Sequence, residues 1–114
     1  MCWLLGGRVK AHQADPILPE GWYYPEDREV AESLYAEFIR ELPVGHLLSG
    51  KPVAVFAYRR GTDDVLFRHR EEPERFTVIH LSWIGKQEMH QDFPFVEFDG
   101  SLEGFLQYEQ RFSD

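Results

Sequence analysis

Cysteine is almost missing from this chain. Cys2 is the only one in 114 residues, which excludes an intramolecular disulfide and any zinc site built from several thiolates. One unpaired thiol fits a reducing compartment, so a cytoplasmic protein is expected. Long apolar runs are lacking too. The opening MCWLLGG holds five apolar residues before Gly6 with no basic stretch ahead of them, too short for a secretory leader and far too short for a bilayer span, so no membrane partner is expected. Positive charge is scarce: 12 Lys and Arg face 20 Asp and Glu, for a net charge of −8. Arg59, Arg60, Arg68, Arg70 and Arg75 fall near the expected hairpins, but Glu71, Glu72 and Glu74 are interleaved among them. With no basic face to neutralise phosphates, nucleic acid is not an expected partner. Internal repeats and low-complexity tracts are absent as well.

What the chain does have is enough apolar material for one core. Hydrophobic residues make up 43% and aromatics 15%, so a single domain over 1–114 can fold without a metal, disulfide or cofactor. A domain of this size buries roughly two thirds of its unfolded surface. Residues 1–25 read as an irregular segment lying on that domain: WLLGGRVKAH as a short strand, ADPILPEGWYYPED as an ordered loop. Apolar residues then recur at Val30, Ala31, Leu34, Tyr35, Phe38, Ile39 and Leu42, the spacing of an amphipathic helix from Glu26 to Leu42. Pro25 and the acids that follow suit its start, Pro43 and Gly45 its end. The acids at 26, 27, 29, 32, 37 and 41 read as a solvated face.

Three β-type segments follow, PVAVFAYRR, DDVLFRH and FTVIHLSW, separated by Gly61-Thr62 and by REEPER. Short turns between apolar runs imply an antiparallel meander. The tightest register sets Tyr58 opposite Val65, Phe56 opposite Phe67 and Arg60 opposite Asp63, then Phe67 opposite Val78, Val65 opposite His80 and Asp63 opposite Ser82. Side chains alternate across a strand, so Phe56, Tyr58, Val65, Phe67, Val78 and His80 would share one face, and Val55, Ala57, Leu66, Ile79 and Leu81 the other. FVEFD reads as a fourth strand. SLEGFLQYEQRF reads as a closing helix capped by Ser101, with a stripe of Leu102, Phe105, Leu106 and Phe112. The expected fold is thus α+β: a three- to four-stranded antiparallel meander, a long N-terminal helix and a short C-terminal helix.

Candidate chemistry centres on His80, a histidine inside an apolar strand. The expected register gathers Asp63, Ser82 and Tyr58 around it as catalytic candidates, with Arg60 beside them as a binding residue. Ser82 and His80, two apart on one strand, point the same way about 7 Å apart, beyond what a serine and its base need. The structural reading is a core histidine bonded to Tyr58 or a backbone carbonyl, with Arg60 and Asp63 closing a hairpin. His46, His69, His80 and His90 show no HxH or HExxH spacing, so no metal ligands are assigned. Trp83, Phe93 and Phe95, in and around an aromatic-rich loop, are candidate binding residues or a lid on the core.

From Gly45 to Phe112 the residues GHLLSGKPVAVFAYRRGTDDVLF, FTVIHLSWIGKQE and FPFVEFDGSLEGF resemble a family of small uncharacterised bacterial proteins, most particularly in DDVLF and VIHLSW. The resemblance covers about two thirds of the chain and implies a bacterial cytoplasmic protein with a compact α+β domain. It brings no activity and no site residues. The functional expectation is therefore a non-enzymatic acidic module that binds another protein or itself through an uncovered sheet face, with no cofactor. The alternative is a small hydrolase or metal-dependent enzyme using His80 with Asp63, Ser82 or Tyr58.

Overall fold

The computed structural model describes residues 16–110. Cys2, the strand expected within WLLGGRVKAH, and Phe112 lie outside the described residues. Within them the order is β1 (Trp22–Tyr23), α1 (Arg28–Glu41), β2 (Val53–Arg59), β3 (Asp64–His69), β4 (Phe76–His80), β5 (Phe95–Gly100) and α2 (Leu102–Gln110). The strands form one antiparallel sheet in sequence order. The class is α+β, as expected, but the sheet has five strands rather than three or four. The 14-residue α1 follows a strand and so is not the first element. The extra strand, β1, falls in the stretch expected to be a loop. Its two residues pair with Arg59 and Tyr58, too short a segment to carry a periodic signal.

Local chemistry sets the helix ends. Asp27 takes an extended backbone and its carboxylate accepts from the Val30 N–H at 3.0 Å, satisfying one of the open donors of the first turn. At the other end Pro43 cannot continue the ladder. In α2 the Ser101 hydroxyl accepts from the Gly104 N–H at 3.0 Å, the cap expected there. Gly61, with φ +83°, supplies the positive backbone angle that the tight β2–β3 turn needs.

The two helices lie on opposite faces of the sheet. Phe38 of α1 packs with Leu48, Val53, Val65, Phe67, Ile79 and Leu81, while Phe105 of α2 packs with Trp22, Ala57, Leu66, Phe76 and Val78. Phe38 meets Phe67 at a tilt with ring centroids 4.4 Å apart, and Phe105 meets Trp22 edge-on at 5.1 Å. Each face therefore has its own buried core within the chain. The expectation of an apolar face left bare for a partner does not hold.

The face assignment is corrected as well. Tyr58 does oppose Val65, but Phe56 is an extra residue in β2, so that Val55 rather than Phe56 faces Phe67. Between β3 and β4 the expected register is off by one: Phe67 faces Thr77, Val65 faces Ile79, and His80 faces Asp64. The cause is the connection, where the His69 N–H bonds the Arg75 carbonyl at 3.0 Å and Arg75 N–H returns to Glu72 at 2.7 Å. That closure pins 69 against 75. A one-residue shift exchanges faces, which is why Val78 and Phe67 belong to different cores.

Candidate functional site

His80, at the end of β4, is not a core residue. Its side chain is 46% exposed and its Nδ1 lies 2.8 Å from Asp64 Oδ1, across the β3–β4 ladder, and 3.5 Å from Glu97 Oε2. Asp64 is nearly enclosed, at 5% exposure, and its other oxygen accepts from the Thr62 hydroxyl at 3.1 Å. Glu97 arrives through a bulge. Val78 faces Phe98 and Ile79 faces Val96, so Glu97 is the extra residue of β5 and joins the face that carries His80. The hydrogen bond that His80 donates to Asp64, with the nearby charges of Asp64, Glu97 and Asp63, raises the His80 pKa above its ordinary value against the pull of burial. Burial and the adjacent Asp64 carboxylate push Glu97 upward too.

The other catalytic candidates do not join His80. The Tyr58 hydroxyl donates to Glu26 Oε2 at 2.6 Å, and Tyr58 packs on the opposite core. Asp63 uses its backbone carbonyl to accept from the Leu81 N–H at 2.9 Å. The Ser82 hydroxyl sits between the carboxylates of Glu41, at 3.0 Å, and Glu88. Arg60 pairs with Glu26 and lies 4.4 Å above the Tyr23 ring, so its charge is used within the chain.

A second constellation was invisible to helix periodicity. Glu37 and Glu41, expected on the solvated face of α1, are both buried. Glu41 accepts from the Ser82 N–H at 3.0 Å and the Trp83 N–H at 2.6 Å, and Glu37 from the Gly85 N–H at 3.2 Å. Further along, Glu88 N–H reaches the Glu41 carbonyl at 2.9 Å and the Gln87 amide the Leu42 carbonyl at 3.1 Å. Burial, with the hydrogen bond to Glu37, raises the Glu41 pKa; that same bond lowers Glu37, which also gains from Gly85 and Arg40. The two opposite directions belong to one interacting pair. The loop after β4 is thereby tied to α1, and Trp83 is held at φ +56°, a left-handed angle that a bulky residue adopts only under constraint.

From this tethered loop Trp83, Ile84, Met89 and Phe93 project outward, and Phe95 does so from the start of β5. The expected binding residues Trp83, Phe93 and Phe95 are thus 46%, 45% and 50% exposed instead of closing over a core. His46 supports the loop from below. Its Nε2–H donates to the Pro94 carbonyl at 2.7 Å and its Nδ1 accepts from the Leu48 N–H at 3.0 Å, which uses both ring nitrogens.

His69 has a comparable supporting role. Its Nε2 lies 2.8 Å from Thr77 Oγ1, which donates to Asp99 Oδ1 at 2.7 Å, and Arg75 grips both Asp99 oxygens at 2.9 and 3.0 Å. Burial and the Arg75 charge push the His69 pKa down. The groove of about 490 Å³ along Glu72, Arg75 and Asp99 is lined by groups already bonded to one another. Among the described residues no helix is long and apolar enough to cross a membrane. No family model, curated protein or solved structure matches this chain.

Proposed function

We propose that this chain is a non-enzymatic binding module and that the segment from Trp83 to Phe95 is the surface that meets another protein. The observation that carries this reading is the combination of a backbone held by two buried carboxylates and apolar side chains turned outward from it. Fixing a loop before binding removes ordering entropy from the association, and aromatics with methionine are the side chains enriched at interface centres. Buried acids and a left-handed tryptophan are costly for the fold, and they make physical sense where the loop's shape is what matters. The net charge of −8 and the nearby Glu88 and Asp92 favour a partner with a basic rim around an apolar centre.

The test compares the wild-type chain with a Trp83→Ala/Phe95→Ala variant, its fold verified by circular dichroism, in affinity capture from cell extract and sedimentation velocity. A protein retained by the wild type, lost with the variant and rebound as a purified pair supports the reading. A wild-type dimer that the variant dissolves makes a second copy the partner. Identical captures and identical monomers for both chains refute it.

A further inference from the structure

Three strands converge on one small polar point beside the end of the loop, where His80 pairs with Phe95. Asp64 begins β3, His80 ends β4 and Glu97 is the bulged residue of β5, and one ligand atom from each lies within 4.8 Å of the others. We infer that Asp64, His80 and Glu97 form a binding site for a divalent transition-metal ion of the zinc class, held by His80 Nδ1 and one oxygen from each carboxylate. This inference is independent of the loop reading.

The spacing fits the ion. Metal bonds of about 2.0–2.2 Å to imidazole nitrogen and carboxylate oxygen set neighbouring ligand atoms roughly 3 to 3.6 Å apart. Here Nδ1 stands 2.8 Å from Asp64 Oδ1 and 3.5 Å from Glu97 Oε2, so both contacts of the imidazole nitrogen lie within a few tenths of an ångström of that range, and the ligand atoms of all three residues lie within 4.8 Å of one another. Asp64 is already aimed, because the Thr62 hydroxyl holds Oδ2 and leaves Oδ1 toward His80. The bulge is the second structural cue. Without the extra residue, strand alternation would send the residue next to Phe98 to the far face; with it, a carboxylate is added beside an existing Asp–His pair.

The donor set also selects the ion. A neutral imidazole disfavours magnesium and calcium, which take oxygen ligands, whereas one nitrogen and two carboxylate oxygens suit zinc, cobalt or manganese. Two carboxylates and a neutral imidazole balance a doubly charged cation. Arg59, the nearby cation, is paired with Glu109 at 3.7 Å. The half-exposed His80 leaves the outer side of the site open to water as a further ligand.

The experiment is calorimetric titration of the untagged full chain with Zn²⁺ and Co²⁺ near neutral pH, with long-range ¹⁵N NMR of the histidine rings. Expected are one-to-one binding, a coordination shift at His80 Nδ1, and at least about tenfold weaker binding in Asp64→Asn and Glu97→Gln, since even a supporting partner is worth that much. His90→Gln should bind as the wild type does. If Asp64→Asn fails to fold, Glu97→Gln on the partly exposed edge strand carries the comparison. Absence of binding with excess metal, binding unchanged in Glu97→Gln, or preference for Mg²⁺ would overturn the site.

Discussion

The backbone N–H of Trp83 donates to Glu41 Oε2 at 2.6 Å, joining residues 42 positions apart. The Ser82 N–H shares the same carboxylate. An N–H left buried without an acceptor costs about 1–3 kcal/mol, and these two are only partly buried, so Glu41→Ala should lower stability by about 1–3 kcal/mol in all in urea unfolding. Glu41→Gln keeps one acceptor oxygen and should lose less. A Glu41→Ala change under about 1 kcal/mol would show that the loop holds its shape without the carboxylate.

Trp83 separates fold from function. Its left-handed backbone angle costs a non-glycine residue on the order of 1–3 kcal/mol, which glycine avoids at the expense of greater freedom when unfolded. Trp83→Gly should therefore fall within about 1 kcal/mol of the wild type in thermal or urea unfolding, while losing partner capture. Trp83→Ile, β-branched at the same angle, should be clearly less stable.

The His69 pKa lies below the ordinary histidine value of about 6.5, so the ring is neutral in the fold and charges more readily when unfolded. Its contribution to stability is complete above about 6.5 and is lost as pH falls from there through the folded value. The stability difference between wild type and His69→Gln, measured by urea unfolding on both sides of 6.5, should shrink toward acid pH. The groups that set it are Arg75, Asp99, Glu72 and Lys51, and removal of the Arg75 charge should move the window upward. A difference that stays constant across the range would contradict the assignment.

Phe38 and Phe105 are fully buried on opposite faces of the sheet. Either residue replaced by alanine should cost about 3–5 kcal/mol. Strand residues alternate between the two cores, so loss of one helix undermines the wall that supports the other. Calorimetry of each variant should show a single transition; two resolved transitions would mean that the faces fold separately.

Much of this fold was legible in the chain, and the misses have physical causes. Helix α1 was visible in the spacing of Leu34, Phe38 and Leu42, and α2 in Ser101 with Leu102 and Phe105, because these contacts are local. The strands were visible as apolar runs, but their pairing depends on where His69 closes on Arg75 and on the extra Phe56. Neither carries a compositional mark. His80 stands out in the sequence as a polar residue in an apolar run, but its neighbours depend on a register one residue from the expected one: Asp64 faces it, not Asp63 or Ser82. Glu97 could not be found by alternation, since a bulge is a break in alternation. Glu37 and Glu41 were hidden for a different reason. Acids on an amphipathic helix ordinarily face water, and only the loop that needs their oxygens explains why these two do not.

The two extra residues, Phe56 and Glu97, fall in β2 and β5, on either side of an uninterrupted β3–β4 ladder. Tolerance of length change is therefore graded across the sheet. A residue gained or lost within the central hairpin would swap the occupants of both cores at once, so that hairpin works as a reading frame. The flanking strands each hold one extra residue, in β2 an aromatic that meets Phe76 edge-on, in β5 a carboxylate beside His80. Variation in this architecture has room to enter from its margins, next to the positions where new chemistry can be tried without disturbing the frame.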